Sequence, residues 1–381
     1  MTAGLVAPGF VTRCRRQLLS WRNRLLMEPR LRRMASAFPL TRPAARRHTR
    51  ELFDLCAGFV YSQVLSACIR LDLFQLLEET GPLTAAVLAD RLGLPEARLA
   101  VLLRAAVSLR LLEDAGAREY AVGPLGAVLL GNPGLKGMIE HHHMLYADLA
   151  DPVGLLRGDH GQTGLAGYWG YAGAADPANL EGTEVAPYSE LMAASQALVA
   201  DEILAAYPFA RHQGLLDIGG GLGAFVAAVA ARAPSLELAL LDLPAVAAGA
   251  RCRLHDQGLG QRVQVHAGDF LSDPLLRGAD LVSLVRVIHD HDDEAALALL
   301  AAVHAALPRD GTLLLAEPLA GTRRAEAAGA AYFGFYLLAM GSGRPRTRPE
   351  LEQLLRAAGF HDVKERPTGI PLLVRVLVAK K

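Results

Sequence analysis

The chain has 381 residues, 52% of them apolar, and carries 39 basic and 39 acidic side chains. That leaves room for two globular domains with a large core. There is no unbroken run of eighteen apolar residues and no apolar leader near the start, so neither a transmembrane helix nor a signal peptide is expected.

The charge is unevenly spread, because residues 1–50 hold twelve arginines and a single acid, Glu28. In this stretch Leu18, Leu19, Trp21, Leu25, Leu26 and Leu31 are interleaved with Arg13, Arg15, Arg16, Arg22, Arg24, Arg30, Arg32 and Arg33. Three readings fit: a basic amphipathic helix on an anionic membrane surface, a nucleic-acid arm, or a solvated arm packing on its own or a partner subunit. Pro39 and Pro43 are expected to break the segment, with a new helix starting over 46–50. The four cysteines, Cys14, Cys56, Cys68 and Cys252, form no metal-ligand pattern and read as reduced thiols of a cytosolic protein.

Residues 51–93 carry a helical pattern through Leu52, Leu55, Phe59, Leu65, Ile69 and Leu73. A helix from Thr84, a turn at Gly93-Leu94-Pro95, a helix over 96–108 and a hairpin over 110–122 give the order of a winged-helix domain. The second of these helices offers only Arg98 and Arg104 among apolar residues. Dimerisation and a substrate lid are therefore expected of this domain, not DNA reading.

Residues 134–212 read as mostly helical. His141, His142 and His143 point in different directions on a helix, so no metal is expected there. The glycine-rich stretch 158–182, with Tyr168, Trp169 and Tyr171, reads as a surface loop or lid. Tyr188, Met192, Ser195 and Gln196 share a helix face that suits either plain core or a pocket wall beside a cofactor.

Strands and helices then alternate. Strands are expected over 214–218, 236–241, 262–266, 279–285, 312–316, 361–365 and 372–379, the last one buried, with helices over 224–232, 293–307, 323–338 and 349–358. The first strand runs into the glycines at 219–221 and 223, and the second ends on Asp242. Strand, glycine turn and helix bring backbone N–H groups close to a bound cofactor, and an acid at position 242 can accept hydrogen bonds from both ribose hydroxyls. A dinucleotide and S-adenosylmethionine both fit. Asp217 would repel a pyrophosphate and suits a cationic cofactor, unless it merely caps its own turn. Asp269 and Phe270 follow the third strand, where they can meet an adenine. His289 lies past the fourth strand as a general base. Glu317, at the end of the fifth, can fix its tautomer. The plainer alternatives are a structural histidine and an ion pair with an arginine.

The motifs LLDIGGGLG (215–223), LLDLP (240–244), HAGDF (266–270), RVIHDHDDE (286–294), ALPRDGTLLLAEPL (306–319) and LLRAAGF (354–360) carry a resemblance. Over about residues 50–380 the sequence resembles the S-adenosylmethionine-dependent O-methyltransferases of the plant caffeate and bacterial polyketide type. The resemblance implies an α/β chain: a Rossmann-like class I methyltransferase domain with a seven-stranded, mostly parallel sheet, preceded by a helical winged-helix-like dimerisation domain. The expected divisions are 1–50, 51–200 and 201–381. By the same resemblance Gly219, Gly221 and Asp242 hold the cofactor, Asp269 and Phe270 contact adenine, His289 is the base, and Glu317 positions it. Asp217, Leu243 and Ser195 complete the expected cofactor shell. No metal is implied, and a homodimer is. Three positions depart from the family pattern: His291 replaces a tryptophan, Pro345 stands where plant enzymes have a second acid, and Val285 stands where they have a lysine.

Further stretches, WRNRLL, FPLTRPAARR and LFDLCAGFVYSQVL, resemble the carotenoid O-methyltransferases of purple photosynthetic bacteria, of the hydroxyneurosporene or demethylspheroidene type. This implies methylation of a tertiary hydroxyl on a long acyclic carotenoid by a cytoplasmic protein peripheral to the photosynthetic or inner membrane. Methylation of a polyketide or other small hydroxylated molecule is the alternative. A non-catalytic regulator is a third class, against which the intact Asp217, Asp242, Asp269 and His289 speak.

Overall fold

A computed structural model describes residues 10–159, 161–170 and 179–381, so Tyr171 and its neighbours in the expected lid lie outside the described residues. The chain divides into two compact units, Met1–Ala127 and Val128–Lys381.

The first unit opens with α1 (Phe10–Met27), α2 (Pro29–Ala37) and the long α3 (Arg42–Arg70). Pro43 does not break this segment. It sits in the first turn of α3, where its missing N–H costs nothing, so the helix starts before residue 46. By length and composition α3 could cross a bilayer, although no unbroken apolar run of eighteen announces it. Its C-terminal turn is nonetheless packed, with Cys68 and Ile69 buried. Next come α4 (Leu73–Thr80), β1 (Leu83–Thr84), α5 (Ala85–Leu92), α6 (Glu96–Ser108), β2 (Leu112–Gly116), β3 (Glu119–Val122) and α7 (Pro124–Leu130), which runs across the division. The Thr84 side chain accepts from the Val87 N–H at the start of α5, and Gly93 closes that helix in the left-handed conformation. Leu88 on α5 and Leu99 and Leu103 on α6 are buried, as is Leu112 at the start of the wing. The wing has a third strand, in the order β1-β3-β2, which two residues are too few to announce in a sequence.

The second unit begins with α8 (Pro133–Glu140), α9 (His142–Asp148), α10 (Pro152–Arg157), α11 (Gly164–Tyr168) and α12 (Gly182–Ala206). Position 200 falls inside α12, and the compact unit takes in these helices together with the sheet. The alternating region follows as β4 (Gly214–Ile218), α13 (Ala224–Arg232), β5 (Glu237–Asp242), α14 (Pro244–Asp256), β6 (Val263–Ala267), β7 (Leu281–Val285), α15 (Asp293–Ala306), β8 (Thr312–Glu317), α16 (Phe333–Met340), α17 (Arg348–Ala357), β9 (His361–Arg366) and β10 (Arg375–Lys380). The helix expected to start at Arg323 starts later. A π-helical turn, Ala328–Tyr332, precedes α16, and Arg324 has a φ of 66°.

Among the described residues seven strands form one sheet, in the order β6-β5-β4-β7-β8-β10-β9. All neighbouring pairs are parallel except those of β10, which runs antiparallel to β8 and β9. The connection from β9 to β10 is too short for a crossover, which is why the chain reverses there. Both faces of the sheet are covered. Leu215 packs in one core with Ile203, Val226 and Val229, and Leu216 packs in the other with Leu299, Leu300 and Leu351. Such strands read as continuous apolar runs. The strand order reverses between β4 and β7, and the crevice beyond their carboxyl ends is where such sheets hold ligands.

Candidate active site

The carboxyl ends of β4, β5, β7 and β8 bring the site together. Gly219 and Gly221 adopt left-handed φ values of 66° and 57° after β4. The Gly219 N–H hooks onto the Leu241 carbonyl at 2.9 Å, tying the turn to the end of β5. A Cβ on Gly219 would stand 2.8 Å from Val287 Cγ2, whereas one on Gly221 would meet nothing within 4 Å. The turn is therefore closed on its inner side and open where a ligand would lie.

Two buried carboxylates face this turn. Asp242 accepts the Gly221 N–H at 2.7 Å and the Leu243 N–H at 2.8 Å, one on each oxygen, so Leu243 contributes its amide. Each oxygen keeps a lone pair for a hydroxyl. Burial pushes the Asp242 carboxyl up to about 6 although both amides oppose the rise. Asp217 Oδ1 accepts from Ser283 Oγ at 2.6 Å, while its buried Oδ2 has no partner. Burial, with Asp242 adding to it, pushes this carboxyl up to about 7 against the pull of Ser283. A buried carboxylate oxygen with no partner beside an open glycine turn fits a cationic ligand.

Asp269 turns inward on its own loop, accepting from the Leu271 N–H and from Ser272 Oγ. Phe270 borders the glycine turn, its Cε1 being 3.7 Å from where a Gly219 Cβ would lie. Its ring meets His291 edge-on at 5.5 Å, so the histidine fills the tryptophan position as a second ring. Ser195 Oγ is engaged by the Met192 carbonyl and by Arg286 Nη1, both at 3.0 Å.

His289 lies on a 3-10 turn, Ile288–Asp290, past β7. Its Nδ1 pairs with Glu317 Oε2. Glu317 Oε1 accepts the Val287 and Ile288 N–H groups at 3.0 and 2.8 Å, so this acid, 1% exposed, is held in place by three groups. On the other side His289 Nε2 lies 3.0 Å from Asp290 Oδ1. Burial alone would suppress the charged imidazole, but Asp290 and Glu317 outweigh it and raise His289 to about 10. A second carboxylate thus stands by the imidazole although Pro345 supplies none.

The three consecutive histidines are separately employed. His141 Nε2 pairs with the Tyr336 hydroxyl at 2.9 Å, His142 Nε2 with that of Tyr332 at 2.7 Å, and His143 Nδ1 with the Glu140 carbonyl at 2.9 Å. Among the described residues no group of three or more His, Cys, Asp or Glu side chains is placed to hold a metal ion.

Residues 146–361 match the O-methyltransferase domain, and residues 53–132 match the O-methyltransferase dimerisation domain. The chain belongs to the O-methyltransferase family. It is similar to the demethylspheroidene O-methyltransferase of Cereibacter sphaeroides, 41% identical over 360 residues and 93% of each chain. It is 40% identical over 361 residues to the enzyme of the same name from Rhodobacter capsulatus, covering 94% of this chain and 89% of the other. Among solved structures, human N-acetylserotonin methyltransferase in complex with SAM matches with a TM-score of 0.73 at 26% identity, covering 88% of this chain and 97% of that one.

In this O-methyltransferase Arg286 is a site residue that was not legible in the sequence. Val285 is buried in the core with Leu215, and the next residue, Arg286, reaches Ser195 Oγ and the Met192 carbonyl on α12. Arg286 has a φ of 56°, its N–H still bonds Ala316 O at 2.8 Å, and its buried Nε has no partner. Strain of this kind collects at functional positions. The signal available beforehand was only a cation beside the expected one. Nothing in a sequence announces a left-handed arginine.

Proposed function

We propose that this O-methyltransferase uses S-adenosylmethionine to methylate a tertiary hydroxyl on an acyclic hydroxycarotenoid of the demethylspheroidene type. The observation that carries the reading is twofold: an unpartnered buried carboxylate oxygen on Asp217, and an imidazole held by Glu317 with Asp290 Oδ1 standing 3.0 Å from its Nε2. The relatives named above support the carotenoid as acceptor.

The residues divide the work. Asp242, oriented by the amides of Gly221 and Leu243, would hold the ribose with its remaining lone pairs, Phe270 would pack on the base, and Asp269 would meet the amino group of the base. Asp217 and Arg286 offer opposite charges to the ammonium and the carboxylate, and Ser195 keeps the guanidinium in place. When bound, S-adenosylmethionine supplies a methyl group on a cationic sulfur that departs as a neutral thioether. His289 Nε2 takes the hydroxyl proton as the new oxygen–carbon bond forms. Glu317 keeps the proton of Nδ1 on the far side and, with Asp290, stabilises the imidazolium that results. A tertiary alcohol is a poor acid, so an imidazole made strongly basic by two carboxylates suits it.

The first unit carries the family's dimerisation domain. Leu52, Phe53, Leu55 and Phe59 on α3 are exposed and suit the contact with a second copy. Ahead of them α1 and α2 expose Leu18, Trp21, Met27 and Leu31 among arginines. That surface suits the anionic membrane in which a polyene substrate dissolves. The test is an assay of the pure protein with methyl-labelled S-adenosylmethionine and hydroxylated acyclic carotenoids beside phenols. Label is expected in the carotenoid ether; label in the phenols alone would remove the carotenoid reading.

A further inference from the structure

The turn that carries the imidazole presents four consecutive carbonyls, and a single segment, residues 342–346, takes all of them. Arg346 Nη1 donates to Ile288 O at 2.7 Å, the Arg344 N–H to His289 O at 2.9 Å, Ser342 Oγ to Asp290 O at 2.9 Å and Arg346 Nη2 to His291 O at 2.7 Å. Gly343 makes the close approach, with a φ of 77°; a Cβ there would stand 2.2 Å from His289 O. The remaining nitrogen of the fork, Arg346 Nε, donates to Asp293 Oδ1 at 2.9 Å, and Nη2 lies 2.7 Å from the same oxygen.

Arg346 is 2% exposed. A buried cation is a poor source of stability, since an apolar side chain of similar volume often serves as well. What only the planar guanidinium can do is hold two carbonyls of one turn at a fixed separation. Glu317 grips the same turn from its N–H side, through Val287 and Ile288, and sets the rotation of the ring. The strap grips it from the carbonyl side. The strap also follows directly on α16, whose Phe333 ring stands 6.2 Å from the imidazole.

We propose that Arg346 is a positioning residue for His289: through the strap it sets where Nε2 stands relative to the acceptor hydroxyl, and so governs turnover while leaving cofactor binding untouched. This rests on the reading of His289 as the base.

The test uses the full chain with Arg346→Met, Arg346→Lys and Ser342→Ala, and three readouts: affinity for S-adenosylhomocysteine, kcat against KM with the labelled methyl donor, and the His289 Nδ1–H resonance in histidine-labelled protein. The resonance is assigned with His289→Ala. Arg346→Met is expected to keep its affinity, to lose kcat by about 100-fold, as a displacement near 1 Å can cost, and to shift or broaden the resonance. Arg346→Lys recovers part of the loss, because an ammonium lacks the fork that spans both carbonyls. Ser342→Ala releases one carbonyl and gives a smaller change of the same kind; with Arg346→Lys it carries the test if the methionine variant does not fold. An unmoved resonance in the folded arginine variants overturns the proposal, whether or not kcat falls. The resonance is read without turnover, so the positional claim and the base claim fail separately: wild-type turnover in His289→Ala removes the base and leaves the placement of the ring to be judged on its own signal.

Discussion

Two ionisable side chains carry the chemistry, and each has a pH signature. An acid such as Asp217, raised in the fold from 3.8 to about 7, binds protons more tightly when folded than when unfolded. Without cofactor, stability therefore falls as pH rises through that window. A bound cation favours the ionised form, so affinity for S-adenosylmethionine rises with pH over the same window and levels off above it. Calorimetric titrations from roughly pH 5 to 8 should show that rise in the wild type and, in Asp217→Asn, only the shallower rise at lower pH that belongs to Asp242. His289→Ala is expected to lose about 100- to 10,000-fold in kcat while keeping its affinity for S-adenosylhomocysteine; equal loss of both would place the histidine in cofactor binding instead. Much of this was readable beforehand. Asp217, Asp242, His289 and Glu317 are acids or bases at strand ends, and strand ends are visible as the close of apolar runs. Arg286 and Arg346 were not readable, since one depends on a left-handed backbone and the other on carbonyls supplied by a segment 55 residues away.

At the scale of elements, the glycine turn after β4 is the tightest constraint. Gly219→Ala would force a side chain into left-handed backbone and against Val287, at a cost of about 1–2 kcal/mol for the conformation alone. Thermal unfolding should fall accordingly, with weakened cofactor binding; an unchanged melting temperature would mean that the turn relaxes freely. The helices of the wing were legible because their ends are written chemically, in Thr84 and Gly93. The buried final strand was legible as an apolar run, but its antiparallel direction depends on the length of a connection. The start of α3 was misplaced because proline serves a first helical turn as well as it ends a last one. The late start of α16 reflects a π-helical turn, whose residues look helical in any sequence.

At the scale of the molecule, the arm and the catalytic unit make separate demands. Removal of residues 1–41 is expected to abolish flotation with anionic vesicles and to leave cofactor affinity intact, and binding of the full chain should weaken as salt rises. Equal flotation of the truncated protein would assign membrane contact elsewhere. The central claim is that an imidazole made strongly basic by two carboxylates takes the acceptor's proton. The pH dependence of kcat/KM for methyl transfer to the hydroxycarotenoid tests it most directly, in the wild type and in Glu317→Gln. In the free protein His289 sits raised to about 10, so the rate should climb with pH toward that value. Loss of one raising carboxylate should move the climb to lower pH in Glu317→Gln. A rate that is flat across this range, or a climb at the same pH in both proteins, would contradict the account.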